Sequence, residues 1–60
     1  MAGKFEVYVD KAGKHRFRLK SSNGQIVAVG EAYESKANVL EGVQAVLRAA
    51  EGATVVEVAS

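Results

Sequence analysis

Lys4-Phe5-Glu6-Val7-Tyr8-Val9-Asp10-Lys11-Ala12-Gly13-Lys14-His15-Arg16-Phe17-Arg18-Leu19-Lys20 is the stretch that decides the fold. Apolar and polar residues alternate over 4–10 and again over 14–20, the period-two pattern of half-buried strands. Phe5, Val7 and Val9 fall on one face, with Lys4, Glu6 and Tyr8 on the other. Between the two runs, Lys11-Ala12-Gly13 reads as a three-residue hairpin loop, with Gly13 in the left-handed position that closes a type I turn with a G1 bulge. That loop sets Val9 opposite His15, Val7 opposite Phe17 and Phe5 opposite Leu19. On the other face Tyr8 meets Arg16 and Glu6 meets Arg18, so opposite charges pair across the strands. A slip of one residue sets Val7 against Arg18 and Val9 against Arg16, which specifies the register strongly.

Downstream, Ser21-Ser22-Asn23-Gly24 is a second turn, and Asn-Gly between strand patterns is a strong hairpin signal. As a two-residue turn it sets Leu19 against Ala28 and Phe17 against Gly30. As a three-residue loop ending at Gly24 it sets Leu19 against Val27 and Phe17 against Val29. The two-residue form is preferred. In either form Ile26, Val27, Ala28 and Val29 put apolar residues on both faces of a third strand. Ser35 then caps a helix from Lys36, its hydroxyl accepting from an orphan backbone N–H. Glu31 and Glu34 stand just upstream, where the helix dipole favours negative charge. Ala37, Leu40, Val43, Leu47 and Ala50 recur at helical spacing, and Val39 and Val46 widen the stripe. The helix ends near Ala50 or Glu51, with Gly52 as the left-handed cap. Gly42 inside it costs about 1 kcal/mol relative to Ala, a cost that a close helix–sheet approach would explain. Thr54, Val55, Val56, Glu57 and Val58 form a last run of high β propensity, able to return to its own sheet or to reach a neighbour's. The order is β-β-β-α-β over a single domain, 1–60: an α+β fold with an antiparallel sheet and one helix on one face.

Composition narrows the function more by exclusion than by suggestion. Hydrophobic residues make up 48% and charged residues 25% of the 60, so the chain is globular rather than disordered. Without Cys there is no disulfide framework, thiolate metal site or thiol nucleophile, and one His makes no ligand cluster. Metal and cofactor are expected to be absent. A net charge of +1 is far from that of a typical nucleic-acid module. No apolar run spans a membrane or reads as a signal peptide, so a cytoplasmic protein is expected. Surface scaling gives an unfolded chain of ~9,100 Å² and a folded monomer of ~3,700 Å². Burial then supplies roughly 80 kcal/mol at ~25 cal/mol/Å², and ordering costs about as much at ~1.5 kcal/mol per residue. Such a balance points to a partner subunit.

Several of these stretches are familiar together. Lys4-Phe5-Glu6-Val7-Tyr8, Gly13 to Lys20, Asn23-Gly24-Gln25-Ile26-Val27-Ala28, Tyr33-Glu34-Ser35-Lys36-Ala37 and Glu41-Gly42-Val43 with Val46 resemble the YegP-like family. These are small bacterial and archaeal proteins of unknown function, and the resemblance covers nearly the whole chain. It departs at Val29-Gly30-Glu31-Ala32, where the family often has Thr-Ser-Glu-Gly. The resemblance implies a β-β-β-α-β unit whose C-terminal strand, here Thr54, Val55, Val56, Glu57 and Val58, is swapped between two units to complete one sheet. Longer members carry two units in tandem, so this single-unit chain is expected to be a homodimer. It implies no catalytic residue.

Three functions are weighed on the residues. A homodimeric structural or interaction module, non-enzymatic, is the expected one. Nucleic-acid binding would use Tyr8, Arg16, Arg18 and Lys20, cations holding phosphates while a ring stacks on a base. Against it, the same residues form a solvated face charge-matched by Glu6, and this plainer reading is preferred. Ligand binding or catalysis in a dimer groove would draw on Tyr8, Tyr33, His15 and Arg18. An enzyme is disfavoured, because a lone unit of this size offers little concave volume and no nucleophile stands at an informative spacing from His15.

Overall fold

The computed structural model describes residues 2–59. Strands β1 (Lys4–Val9), β2 (His15–Lys20) and β3 (Ile26–Val29) form an antiparallel sheet in the order β1-β2-β3, followed by helix α1 (Lys36–Ala50). The first hairpin has the register that its loop dictates: Phe5 faces Leu19, Val7 faces Phe17 and Val9 faces His15. Gly13 has φ 81°, and its N–H donates to the Asp10 carbonyl at 3.0 Å, closing the turn.

The second hairpin combines the two readings of its turn. Its loop is the three-residue form: Ser21 N–H donates to Gln25, Gly24 N–H donates to Ser21 and Gly24 has φ 89°. Lys20 accordingly pairs with Ile26, but the register then shifts, so that Leu19 meets Ala28 and Arg18 meets Val29. The preference for a two-residue turn is corrected, while the pairing it implied stands. A β-bulge at Val27 reconciles them by adding one residue to β3. The shift brings Gly30 opposite Phe17, whose carbonyl accepts the Gly30 N–H at 2.9 Å. A Cβ on Gly30 would collide with the Phe17 ring, so the ring lies across the bare backbone there.

Phe17, Val39 and Val43 are the buried core, with Phe5 and Tyr33 packed around them. Phe5 meets Phe17 edge-on at 5.7 Å between ring centres, and Tyr33 stacks on Phe17 at 6.4 Å. Tyr33 is fixed by a reciprocal backbone bridge to His15. Its ring lies over Gly42, which accounts for a glycine in mid-helix: a Cβ there would strike the Tyr33 hydroxyl end.

Helix α1 begins as its cap specifies, with the Ser35 hydroxyl accepting from Asn38 N–H at 3.1 Å. It ends at Ala50, and Gly52 follows at φ 70°. The helix packs on β2 and β1, not on β3. That placement selects Val39 and Val43 for burial, and leaves Leu40 and Leu47 exposed despite their place in the apolar stripe. The last run of high β propensity, residues 54–58, forms no strand within the chain. The β-β-β-α portion is thus observed. The exchange that would add the final strand is not shown.

Candidate functional site

The side of the sheet away from α1 carries the charge. Lys4, Glu6 and Tyr8 of β1 stand opposite Lys20, Arg18 and Arg16 of β2, so Tyr8, Arg16, Arg18 and Lys20 do share one face. Ile26 and Val29 border it from β3, being opposite Lys20 and Arg18.

The geometry offsets part of the charge of this stripe: Glu6 and Asp10 pair with Arg16, Arg18 and Lys20. Glu6 Oε1 accepts from Arg18 Nε at 2.7 Å and lies 3.3 Å from Lys20 Nζ. Asp10 Oδ2 lies 3.7 Å from an Arg16 terminal nitrogen, and Lys14 meets Glu34 at 2.5 Å. Arg16 also donates to the Gly30 carbonyl at 3.3 Å. The Arg18 guanidinium, mainly through its hydrogen bond and joined by Lys20, holds the Glu6 carboxyl below the ordinary carboxylate range. Lys14 does the same for Glu34. The ring of Tyr8 is capped by the Arg18 guanidinium, 4.8 Å from its centre, rather than by its directly opposite neighbour Arg16. A phosphate would have to displace a carboxylate from Arg16, Arg18 or Lys20, and a base would have to displace Arg18 from Tyr8. The plainer reading of the face therefore fits, and nucleic-acid binding is not favoured.

Asp10 is the residue on this side that sequence reasoning passed over. Its Oδ1 accepts from both Ala12 and Lys14 backbone N–H groups at 2.9 Å, bracing the first loop from within. These backbone donors, Lys14 first, keep its carboxyl below the usual range, with Arg16 adding to the effect. The signal was available, because an Asp at a turn entrance commonly bonds backbone two residues on.

The residues suggested for a groove divide between opposite sides. Tyr8 and Arg18 lie on the open face, whereas His15 pairs with Val9 and bridges to Tyr33 on the helix side. One chain thus cannot bring all four to a single groove. A cavity of about 410 Å³ among the described residues is an open groove beside α1 lined by Leu40, Glu41, Gln44 and Arg48, and none of the four candidates lines it. Among the described residues no three His, Cys, Asp or Glu side chains stand together as a metal site. No described helix is long and apolar enough to cross a membrane.

The remaining candidates are in the C-terminal run. Val55, Val56 and Val58 are 98%, 77% and 88% exposed, and Thr54 and Glu57 are exposed with them.

Comparison with known proteins fixes the family. The profile described as a domain of unknown function, DUF1508, matches residues 10–57. The chain belongs to this family. A UPF0339 protein of Treponema denticola is 62% identical over 58 residues, covering 97% of this chain and all of the relative. A UPF0339 protein of Stutzerimonas stutzeri is 52% identical over 46 residues, covering 77% of this chain but 41% of the relative. The solution structure of a Haloferax volcanii protein superposes with a TM-score of 0.80 at 45% identity, covering 95% of this chain and 97% of its own. The YegP-like resemblance is thereby confirmed, and with it a family to which no function is assigned.

Proposed function

We propose that this protein is a homodimeric structural or interaction module in which residues 54–58 complete the sheet of a second copy. The observation that carries the reading is the C-terminal run itself: three valines and a threonine, strand-forming by composition, exposed and in no strand within the chain. Leaving such a segment in water costs apolar burial that the small core of Phe17, Val39 and Val43 does not offset.

Two global quantities support it. The chain exposes 4892 Å², against ~3,700 Å² for a compact monomer of this mass. Its radius of gyration is 13.1 Å, against about 10 Å for a compact domain of this length. A lone copy is therefore more open than a finished domain. The family match runs to residue 57, so most of the run lies inside the shared domain. More than half of the Stutzerimonas stutzeri relative lies outside its match, which leaves room there for a second covalently joined unit.

The test is the solution mass by sedimentation equilibrium. The full chain is expected at twice 6.3 kDa. Val56→Asp together with Val58→Asp, at sites exposed within the chain, is expected to shift the mass toward the monomer. A folded, monomeric full-length protein at high micromolar concentration overturns the proposal.

A further inference from the structure

The sheet order leaves two edges open to a visiting strand, β1 and β3. We infer that the acceptor is the outer edge of β1 in a second copy, with Val56 and Val58 set beside Val7 and Val9 on the helix side of the sheet. The inference rests on the dimer reading above and adds which surface receives the strand.

Backbone geometry separates the edges first. β1 is six residues long and pairs with β2 without interruption, whereas β3 has four residues and a register shift beside Val27. Bulges twist an edge and disrupt pairing. On β1 the Asp10 N–H points inward to the Lys14 carbonyl at 2.9 Å. Alternation along an antiparallel strand then points the N–H groups of Val9, Val7 and Phe5 outward. They form an evenly spaced row of donors for the backbone of an added strand to meet.

Side chains separate the edges again. In residues 54–58, Thr54, Val56 and Val58 fall on one side, and Val55 and Glu57 on the other. Beside β1, the helix side offers Val7 and Val9, apolar yet still partly open to water. Helix α1 packs over β1 and β2, so a strand added there lies along its flank. Beside β3, the helix side offers Ala28 and Gly30, and no helix stands above it. Its larger apolar residues, Ile26 and Val29, belong to the opposite face. Setting Val56 and Val58 toward the helix sends Glu57 to the face that carries Lys4, Arg16, Arg18 and Lys20, where its charge is matched.

The experiment uses the full chain, mixing isotope-labelled and unlabelled copies, and reads nuclear Overhauser contacts filtered to pass between copies. Contacts from the Val56 and Val58 methyls to those of Val7 and Val9 are expected. As a second arm, Val9→Lys and Val29→Lys are compared by sedimentation, since Val9 is 57% and Val29 64% exposed and both variants should fold. Val9→Lys is expected to weaken dimerisation at least tenfold, and Val29→Lys less than twofold. A dimer whose contacts run to Ile26 or Val29, or whose Val9→Lys variant associates normally, overturns the β1 acceptor and leaves the dimer standing. A monomeric full-length chain overturns both.

Discussion

Hairpins β1–β2 and β2–β3 turn through loops of the same length, each with a left-handed glycine in last place and the same pair of closing hydrogen bonds. In the first, the register set by the loop runs unchanged to Lys4 and Lys20. In the second it holds for one pair and then moves by one residue. The loops being alike, the difference comes from what the strands must pack. Val7 opposite Phe17 leaves the ring free to meet Val39 and Val43. An unshifted β3 would set Val29 opposite Phe17, and the bulge substitutes Gly30, which leaves space for the ring. A turn thus decides register only until a side chain in the core has a stronger requirement.

Gly30→Val attacks that requirement directly and should have the largest effect. It forces Phe17 off its seat, and overpacking of this kind costs about 1–3 kcal/mol. In so small a domain, thermal or urea unfolding should show a loss of most of the cooperative transition. Gly13→Ala and Gly24→Ala come next, each placing a Cβ at positive φ at a cost of roughly 1–2 kcal/mol. The paired variants sharpen the comparison. Gly13→Ala should lower the global midpoint, because β1 and β2 carry the core. Gly24→Ala should act more locally, with amide exchange accelerating first at Ile26–Val29, where every side chain is exposed.

The smallest effect is expected from charge. Asp10 braces only the first loop, and its carboxyl, like those of Glu6 and Glu34, is held below the ordinary carboxylate range. A depressed carboxylate binds fewer protons folded than unfolded, so its contribution is present at neutral pH and disappears as pH falls through the folded value. The thermal midpoint should be flat from pH 8 to 6 and decline below about pH 4, near the ordinary carboxylate value. Asp10→Asn, keeping the Oδ1 acceptor, should reduce the acid-side decline more than it alters the neutral midpoint. An unchanged acid limb would assign the decline to Glu6 and Glu34.

The first hairpin was legible residue by residue because loop length, alternation and cross-strand charge all agree there. The second was legible only as two alternatives. Turn length and strand register are a single quantity in sequence, and the structure separates them with a bulge that no local pattern announces. Helix limits followed from Ser35 and Gly52, both local signals. Which apolar helix residues become core did not, since seven lie around one broad stripe and the choice depends on where the helix crosses the sheet. The candidate face was readable as a set of residues, Tyr8, Arg16, Arg18 and Lys20, but not as an ion-paired surface. Its ion pairs involve Asp10, readable from turn chemistry rather than from alternation, and Glu34, which lies outside the hairpin.

Phe17 over Gly30 and Tyr33 over Gly42 repeat one device: a ring fills the space that a side chain on the opposing backbone would have taken. Each site holds the volume of one large residue, whichever of the two positions supplies it. The two positions are therefore constrained jointly rather than singly. Enlarging the glycine or removing the ring each breaks the fit, while exchanging them together conserves volume. Drift in this domain should accordingly proceed at these places by linked double replacements, with single steps passing through a less stable chain.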